Sequence, residues 1–341
     1  MEITVLLPIV TGSLVERMPE VATARLIGEL VPPPIFQSVS FDSYVPDPAQ
    51  PTQAATLAAL RVFADRIAAP PPPRRLFRRA EPPEARPGVY LDGGFGVGKT
   101  HLLASLWHAV PWPKAFGTFV ELTNLVGALG FEETVRALAA MKFLAIDEFE
   151  LDDPGDTVLM STLLGRLVEA GVYLAATSNT LPESLGEGRF AAADFLREIQ
   201  GLASHFDVLR LDGEDYRHRG LPDAPKSRTE QEVRELLANL PEATVDHFDR
   251  LLYHLAKVHP SRYGALLDGV SHVGLLNVHP LPDQSVALRM VVFADRLYDR
   301  GVQLVVHGAS LDQLFPPEMM AGGYRKKYRR ALSRLIALAR D

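Results

Sequence analysis

The chain has no cysteine among its 341 residues. Disulfides and thiolate metal sites are therefore excluded, and a reducing compartment is permitted. No apolar run approaches the roughly 18 residues that a bilayer-spanning helix needs. The opening MEITVLLPIVTGSLVERMPE holds a short apolar stretch, but Glu2 and the lack of a basic head speak against a secretory signal. The expectation is a cytoplasmic protein with no membrane span. Positive charge is not in excess either, since 35 Lys and Arg stand against 42 Asp and Glu for a net charge of -7. That balance offers no global attraction to nucleic acid, so any such contact would have to be local. No internal repeat is visible.

The length suits about two domains at roughly 150 residues each. Proline is concentrated in APPPPRRLFRRAEPPEARPG, Ala69 to Gly88, which cannot be a helix interior. It is either a solvated linker or a proline-rich docking peptide. From Val89 to Leu211 short apolar runs alternate with amphipathic helices. The runs are Val89 to Leu91, Thr118 to Leu122, Phe143 to Ile146, Val172 to Thr177 and Val208 to Leu211, and the alternation predicts a parallel α/β sheet. After GEDYRHRGLPDAPKSRTEQ the pattern restarts. It predicts helices at Glu230 to Ala238 and Val245 to Val258, a run at Val270 to Val278, a helix Ser285 to Arg300, a strand Gln303 to Val306 and a basic terminal helix. The expected organisation is an N-terminal helical segment with its linker over 1–88, a core over 89–221 and a smaller α/β domain over 222–341.

Within YLDGGFGVGKTHLLASLWHAV, Gly93, Gly98, Lys99 and Thr100 satisfy G-x-x-x-x-G-K-[ST]. A strand precedes the loop, and a helix with Leu102, Leu103, Leu106, Trp107 and Val110 on one face follows it, as a true phosphate loop requires. The glycines let successive N–H groups face phosphate oxygens, and the helix N-terminus adds positive potential. Lys99 is expected to reach the β and γ phosphates and Thr100 to bind magnesium. The predicted ATP-binding set is Gly93, Gly94, Phe95, Gly96, Val97, Gly98, Lys99, Thr100 and His101.

Binding alone is not hydrolysis, and KFLAIDEFE supplies the second constellation. Its apolar strand delivers Asp147 and Glu148 at the carboxyl end, the edge where ligands of parallel sheets bind. Asp147 is suited to hold magnesium through water, with Thr100, and Glu148 to orient and deprotonate the attacking water. A third strand, GVYLAATSNT, ends at Asn179. Its neutral amide is suited to position the lytic water or contact the γ phosphate; the alternative is a helix-capping Asn before Pro182. These three strand ends, in this order, describe the AAA+ branch of P-loop ATPases.

Four stretches together resemble the ZapE family of AAA+ ATPases, bacterial cell-division proteins with mitochondrial relatives. They are YLDGGFGVGKTHLL, FLAIDEFELDDPGDTVLMSTLLGRLVEAGVYLAATSNTLPESL, DYRHR, and VVFADRLYDRGVQLVVHGASLDQLF with RRALSRL. Asp147, Glu148 and Phe149 followed by Asp152 and Asp156 are similar to the family's DEFxxxDxxDA pattern. The resemblance implies a P-loop core followed by a smaller α/β lid domain. It also implies a magnesium-dependent ATPase that works as a nucleotide-dependent homo-oligomer and destabilises the tubulin-like polymer of the division ring. Two departures stand out. Where the family carries an arginine before FLPxI this chain has Ala192, and Arg197 replaces the proline. Arg197 is the first candidate to complete a neighbouring subunit's site, Arg189 the second. Of the usual arginine pair opening a helix of the second domain, Arg289 remains beside Leu288, so Arg289, Arg330 and Arg334 are the lid candidates.

Upstream, FDSYVPDPAQ places Phe41 and Tyr44 before a helix. They are either anchors for the N-terminal helix or aromatic cover for the adenine base. GKTHLL and FDSYV also resemble replication initiators, so an initiator or helicase loader acting on nucleic acid is the competing function. The terminal YRKKYRRALSRLIALAR could contact phosphates, but Tyr328, Leu332, Leu335 and Ala339 give it an apolar face suited to packing. A nucleotide-gated scaffold without turnover is disfavoured by Asp147 and Glu148.

Overall fold

Four of the five apolar runs, together with Lys114–Thr118, become one parallel sheet. Its strands are β1 (Gly88–Gly93), β2 (Lys114–Thr118), β3 (Phe143–Asp147), β4 (Tyr173–Ser178) and β5 (Phe206–Leu211), in the order β2-β3-β4-β1-β5. Every neighbouring pair is parallel. An inner strand of such a sheet is covered on both faces and reads as a nearly continuous apolar run; Phe143 to Ile146 are apolar and buried, and the buried Asp147 ends the strand. The order has a functional consequence. Chain neighbours β1 and β2 are separated, while β3, β4 and β1 lie side by side, so their carboxyl ends share one edge. This is the parallel α/β core that the alternation of strands and helices predicts.

The computed structural model describes residues 12–69, 86–94, 96–151, 154–181, 195–213, 224–240 and 242–339. It divides into two units, one of Thr23–His218 and one of Met1–Ala22 with Arg219–Asp341. In the first, the helices are α1 (Thr23–Gly28), α2 (Pro51–Ala68), α3 (Lys99–Ala109), α4 (Phe119–Leu129), α5 (Phe131–Ala139), α6 (Pro154–Glu169) and α7 (Leu196–Ala203). Leu60, Phe63 and Ile67 of α2 share a core with Leu102, Leu103 and Leu106 of α3. The carboxyl end of α3 is capped by the buried Lys114, whose ammonium donates to the carbonyls of Trp107 at 2.6 Å and Val110 at 2.7 Å.

The second unit is a smaller parallel sheet of β6 (Ala243–His247), β7 (His272–Val278) and β8 (Gln303–Gly308), in that order. Its helices are α8 (Glu230–Leu237), α9 (Phe248–Lys257), α10 (Tyr263–Leu266), α11 (Gln284–Asp299), α12 (Pro317–Ala321) and α13 (Arg325–Leu338). Phe248, Tyr263, Phe293 and Leu332 belong to its core.

Three expectations are corrected. Thr118 to Leu122 is not a strand: β2 ends at Thr118, which caps α4. Thr118 Oγ1 accepts the Glu121 N–H at 3.2 Å and the Glu121 carboxylate accepts the Thr118 N–H at 2.6 Å, a reciprocal capping box that starts a helix. Val245 to Val258 is not one helix, because its first residues belong to β6 and α9 begins at Phe248. Nor do the described residues of 1–88 form one piece. Leu14 is fully buried in the core of the smaller unit, Gly12 bridges Thr244, and the Asp246 carboxylate accepts the Leu14 N–H at 2.8 Å.

Candidate nucleotide site

The loop between β1 and α3 is shaped by glycine. Gly96 and Gly98 take φ values of 78° and 89°, in the left-handed region. At Gly98 the space is closed as well, since a Cβ would lie 2.6 Å from Cε2 of Tyr44. The left-handed backbone alone costs an alanine roughly 1–2 kcal/mol. Gly98→Ala is therefore expected to lower the thermal midpoint and to weaken ATP binding about 10-fold or more, the equivalent of about 1.4 kcal/mol. Melting and nucleotide titration of the same preparation check this, and parent values in both would contradict the packed geometry of the loop.

Lys99 opens α3 and is half-buried. Its ammonium donates to the carbonyl of Gly93 at 2.7 Å, to that of Gly94, and to Asn179 Oδ1 at 2.8 Å. The partner from the β4 end is a neutral amide, which holds the ammonium without the ion pair that a carboxylate would form. Thr100 Oγ1 lies 3.2 and 3.1 Å from the two carboxylate oxygens of Asp147, which is buried at the end of β3. A hydroxyl and a carboxylate facing each other form an all-oxygen donor pair. Such a pair fits magnesium, which takes one or two protein oxygens and fills its octahedron with water and phosphate. Glu148 follows with a left-handed φ of 54°.

Beside the loop is a cavity of about 300 Å³ lined in part by Ser43, Tyr44, Gly98, His101 and Gly213. The Tyr44 hydroxyl donates to the Val97 carbonyl at 3.0 Å, and burial pushes its phenol above the ordinary range, so it stays a donor. His101 Nε2 lies 2.9 Å from Ser43 Oγ, and its ring is 5.6 Å from that of Tyr44. Phe41, by contrast, is buried in the core with Leu60 and Phe63. The two aromatics thus separate into a core anchor and a cavity wall.

The profile of the AFG1-like ATPase family matches residues 20–233 and 222–341. This chain belongs to the AFG1-like ATPase family. The cell division protein ZapE of Escherichia coli (strain K12) is 35% identical over 149 residues, covering 40% of this chain and 40% of that protein. An uncharacterized protein of Schizosaccharomyces pombe is 30% identical over 174 residues, covering 46% of this chain and 37% of that protein. The matched stretches thus span about 40% of the length of these curated relatives. Among solved structures, DnaI matches with a TM-score of 0.41 and 17% identity, covering 56% of this chain and 98% of that one.

In this member of the AFG1-like family, Lys99, Thr100, Asp147 and Asn179 meet at one sheet edge. Arg197 does not join them: it is exposed on α7, which packs on α6 through a 3.2 Å bond from Ser161 Oγ to the Glu198 carbonyl. Phe95, Asp152, Arg189 and Ala192 lie outside the described residues. Of the lid candidates, Arg289 donates to Ser285 Oγ at 2.9 Å, and Arg330 and Arg334 both bond to Asp295. Among the contributors that escaped the sequence analysis are Ser43 and Gly213, which line the cavity, and Thr177, which donates to Asp147 Oδ1 at 2.5 Å. Thr177 had a sequence signal, its place two residues before Asn179 at a strand end.

Proposed function

We propose that the chain binds ATP with magnesium at this site and hydrolyses it to ADP and phosphate in order to remodel a protein partner. The meeting of Lys99, Thr100, Asp147 and Asn179 at the β3-β4-β1 edge carries this reading. Lys99 exchanges the carbonyls of Gly93 and Gly94 for phosphate oxygens, while the loop N–H groups and the start of α3 favour the anion. Magnesium beside Thr100 and Asp147 would neutralise phosphate charge and orient the phosphates. Glu148 orients the attacking water and takes its proton, and Asn179 positions that water or contacts the γ phosphate. The cavity wall at Tyr44 and His101 suits the adenine base.

Negative charge on the transferring phosphoryl group calls for one more cation, and Arg197 is suited to supply it to a neighbouring copy because it is exposed. The active form in this reading is a nucleotide-dependent homo-oligomer, so turnover per chain rises with protein concentration. Arg197→Ala is expected to bind ATP normally, to lose turnover by roughly 10³-fold, and to recover part of it when mixed with Glu148→Gln protein. No recovery at any mixing ratio, with oligomers demonstrably formed, would remove Arg197 from the site.

The relative named for cell division supports the division-ring polymer as the partner and the cytoplasm as the setting. No helix among the described residues is long and apolar enough to cross a membrane. Turnover measured with and without assembled polymer tests the partner, and a rate indifferent to polymer would count against it. Action on nucleic acid is less well supported, because α13 buries Tyr328, Leu332 and Leu335 in its own unit and directs Arg330 and Arg334 to Asp295.

A further inference from the structure

Thr177 is a buried hydroxyl near the end of β4. Its Oγ1 accepts the Glu148 N–H at 3.0 Å and donates to Asp147 Oδ1 at 2.5 Å, while its carbonyl accepts the Phe149 N–H at 2.7 Å. One residue thereby touches three consecutive residues leaving the neighbouring strand. A backbone N–H can only donate, so toward Glu148 the hydroxyl must accept, and its single proton is committed to Asp147. The bond to a carboxylate is charge-assisted.

The paired register of β3 and β4 ends at Ile146 opposite Ala176. Immediately beyond it Glu148 adopts φ 54°, a conformation unfavourable for a residue with a Cβ and sustained only where the surroundings over-determine it. The Thr177 hydroxyl and carbonyl supply that surrounding. Asp147 in turn stands between two threonine hydroxyls, Thr100 from the phosphate loop and Thr177 from β4.

We propose that Thr177 is a positioning residue for the acidic pair: its hydroxyl sets the Asp147 carboxylate against Thr100 and clamps the left-handed turn that aims Glu148. This rests on the hydrolysis proposed above. The bonds of the Lys99 ammonium run to Gly93, Gly94 and Asn179, so loss of the Thr177 hydroxyl is expected to spare nucleotide binding and to act on turnover.

The test compares Thr177→Val and Thr177→Ser with the parent and with Glu148→Gln in three measurements: ATP turnover, titration with a non-hydrolysable ATP analogue, and thermal melting. Valine keeps the volume but removes both hydroxyl bonds, and misplacement of reacting groups by about 1 Å costs on the order of 10²-fold. The expected result is a kcat lower by roughly 10- to 100-fold with analogue affinity within about 3-fold. Serine restores the hydroxyl and is expected to keep kcat within about 5-fold of the parent. Thr177→Ala replaces the valine variant if that one does not fold. Parent-like kcat without the hydroxyl overturns the proposal, as do equal losses for valine and serine. Loss of analogue binding or of the melting transition in the hydroxyl-free variants marks a purely structural residue and overturns it too. Turnover lost in Glu148→Gln but kept in Thr177→Val removes this inference alone. A parent protein whose turnover does not depend on Glu148 removes the hydrolysis reading and this inference with it.

Discussion

In Glu148→Gln protein, ATP turnover is expected to fall by roughly 10²-fold or more, the range for loss of a general base, while ATP binding survives. Glutamine keeps the size of the side chain but cannot take a proton from water and carries no charge to orient it. The backbone is left as it was, because the 3.0 Å bond from the residue 148 N–H to Thr177 Oγ1 does not involve the side chain that changes. Lys99, Thr100 and Asp147 also keep their contacts. ATP would then persist on the protein, which should accumulate in its nucleotide-bound assembly and retain any partner that recognises that state. Parallel turnover and binding assays decide the matter. Hydrolysis at the parent rate, in a preparation free of contaminating ATPase, would sink the mechanism and favour a nucleotide-gated scaffold.

Lys99→Ala is expected to do the opposite, abolishing binding at micromolar ATP with little change in the fold. The substitution removes the one ammonium held at the loop carbonyls and Asn179. Truncating a hydrogen-bonded charge in a partly buried site typically weakens binding by roughly 10²-fold or more. The core beneath the loop is made by Leu102, Leu103 and Leu106, which the change does not touch. A nucleotide titration alongside a melting curve separates the two effects. Unchanged affinity in folded Lys99→Ala protein would remove the phosphate-loop assignment.

Where elements were legible in the sequence, the signal was local. The runs at Val89, Phe143 and Val172 correspond to β1, β3 and β4 because inner strands of a parallel sheet are apolar on both faces, and the run at Val208 corresponds to the edge strand β5. Thr118 to Leu122 misled because a short apolar run does not distinguish a strand from a helix start. The Thr118–Glu121 capping box decided it, and that signature was in the sequence to be read. In Thr244 to Leu252 a strand passes into α9 with no glycine or proline between, so the periodicity alone blurred the boundary. Leu14 is a different case. Its burial in the smaller unit depends on the Asp246 carboxylate more than two hundred residues away, and nothing near Leu14 announces it.

The sequence by itself determined the glycine-rich loop with Lys99 and Thr100, the acidic pair after an apolar strand, and the alternation of strands and helices. These are short-range properties: glycine conformation, residue spacing and burial periodicity act within a few residues of one another. The tertiary structure alone decided that β4 lies between β3 and β1. That order brings Asn179 to Lys99 across 80 residues, Asp147 to Thr100 across 47, and Thr177 to Asp147 across 30. It also decided that Phe41 is core while Tyr44 walls the cavity. Strand order and register are set by the burial of whole elements against one another, so the contacts they create leave no mark in the residues immediately around each side chain.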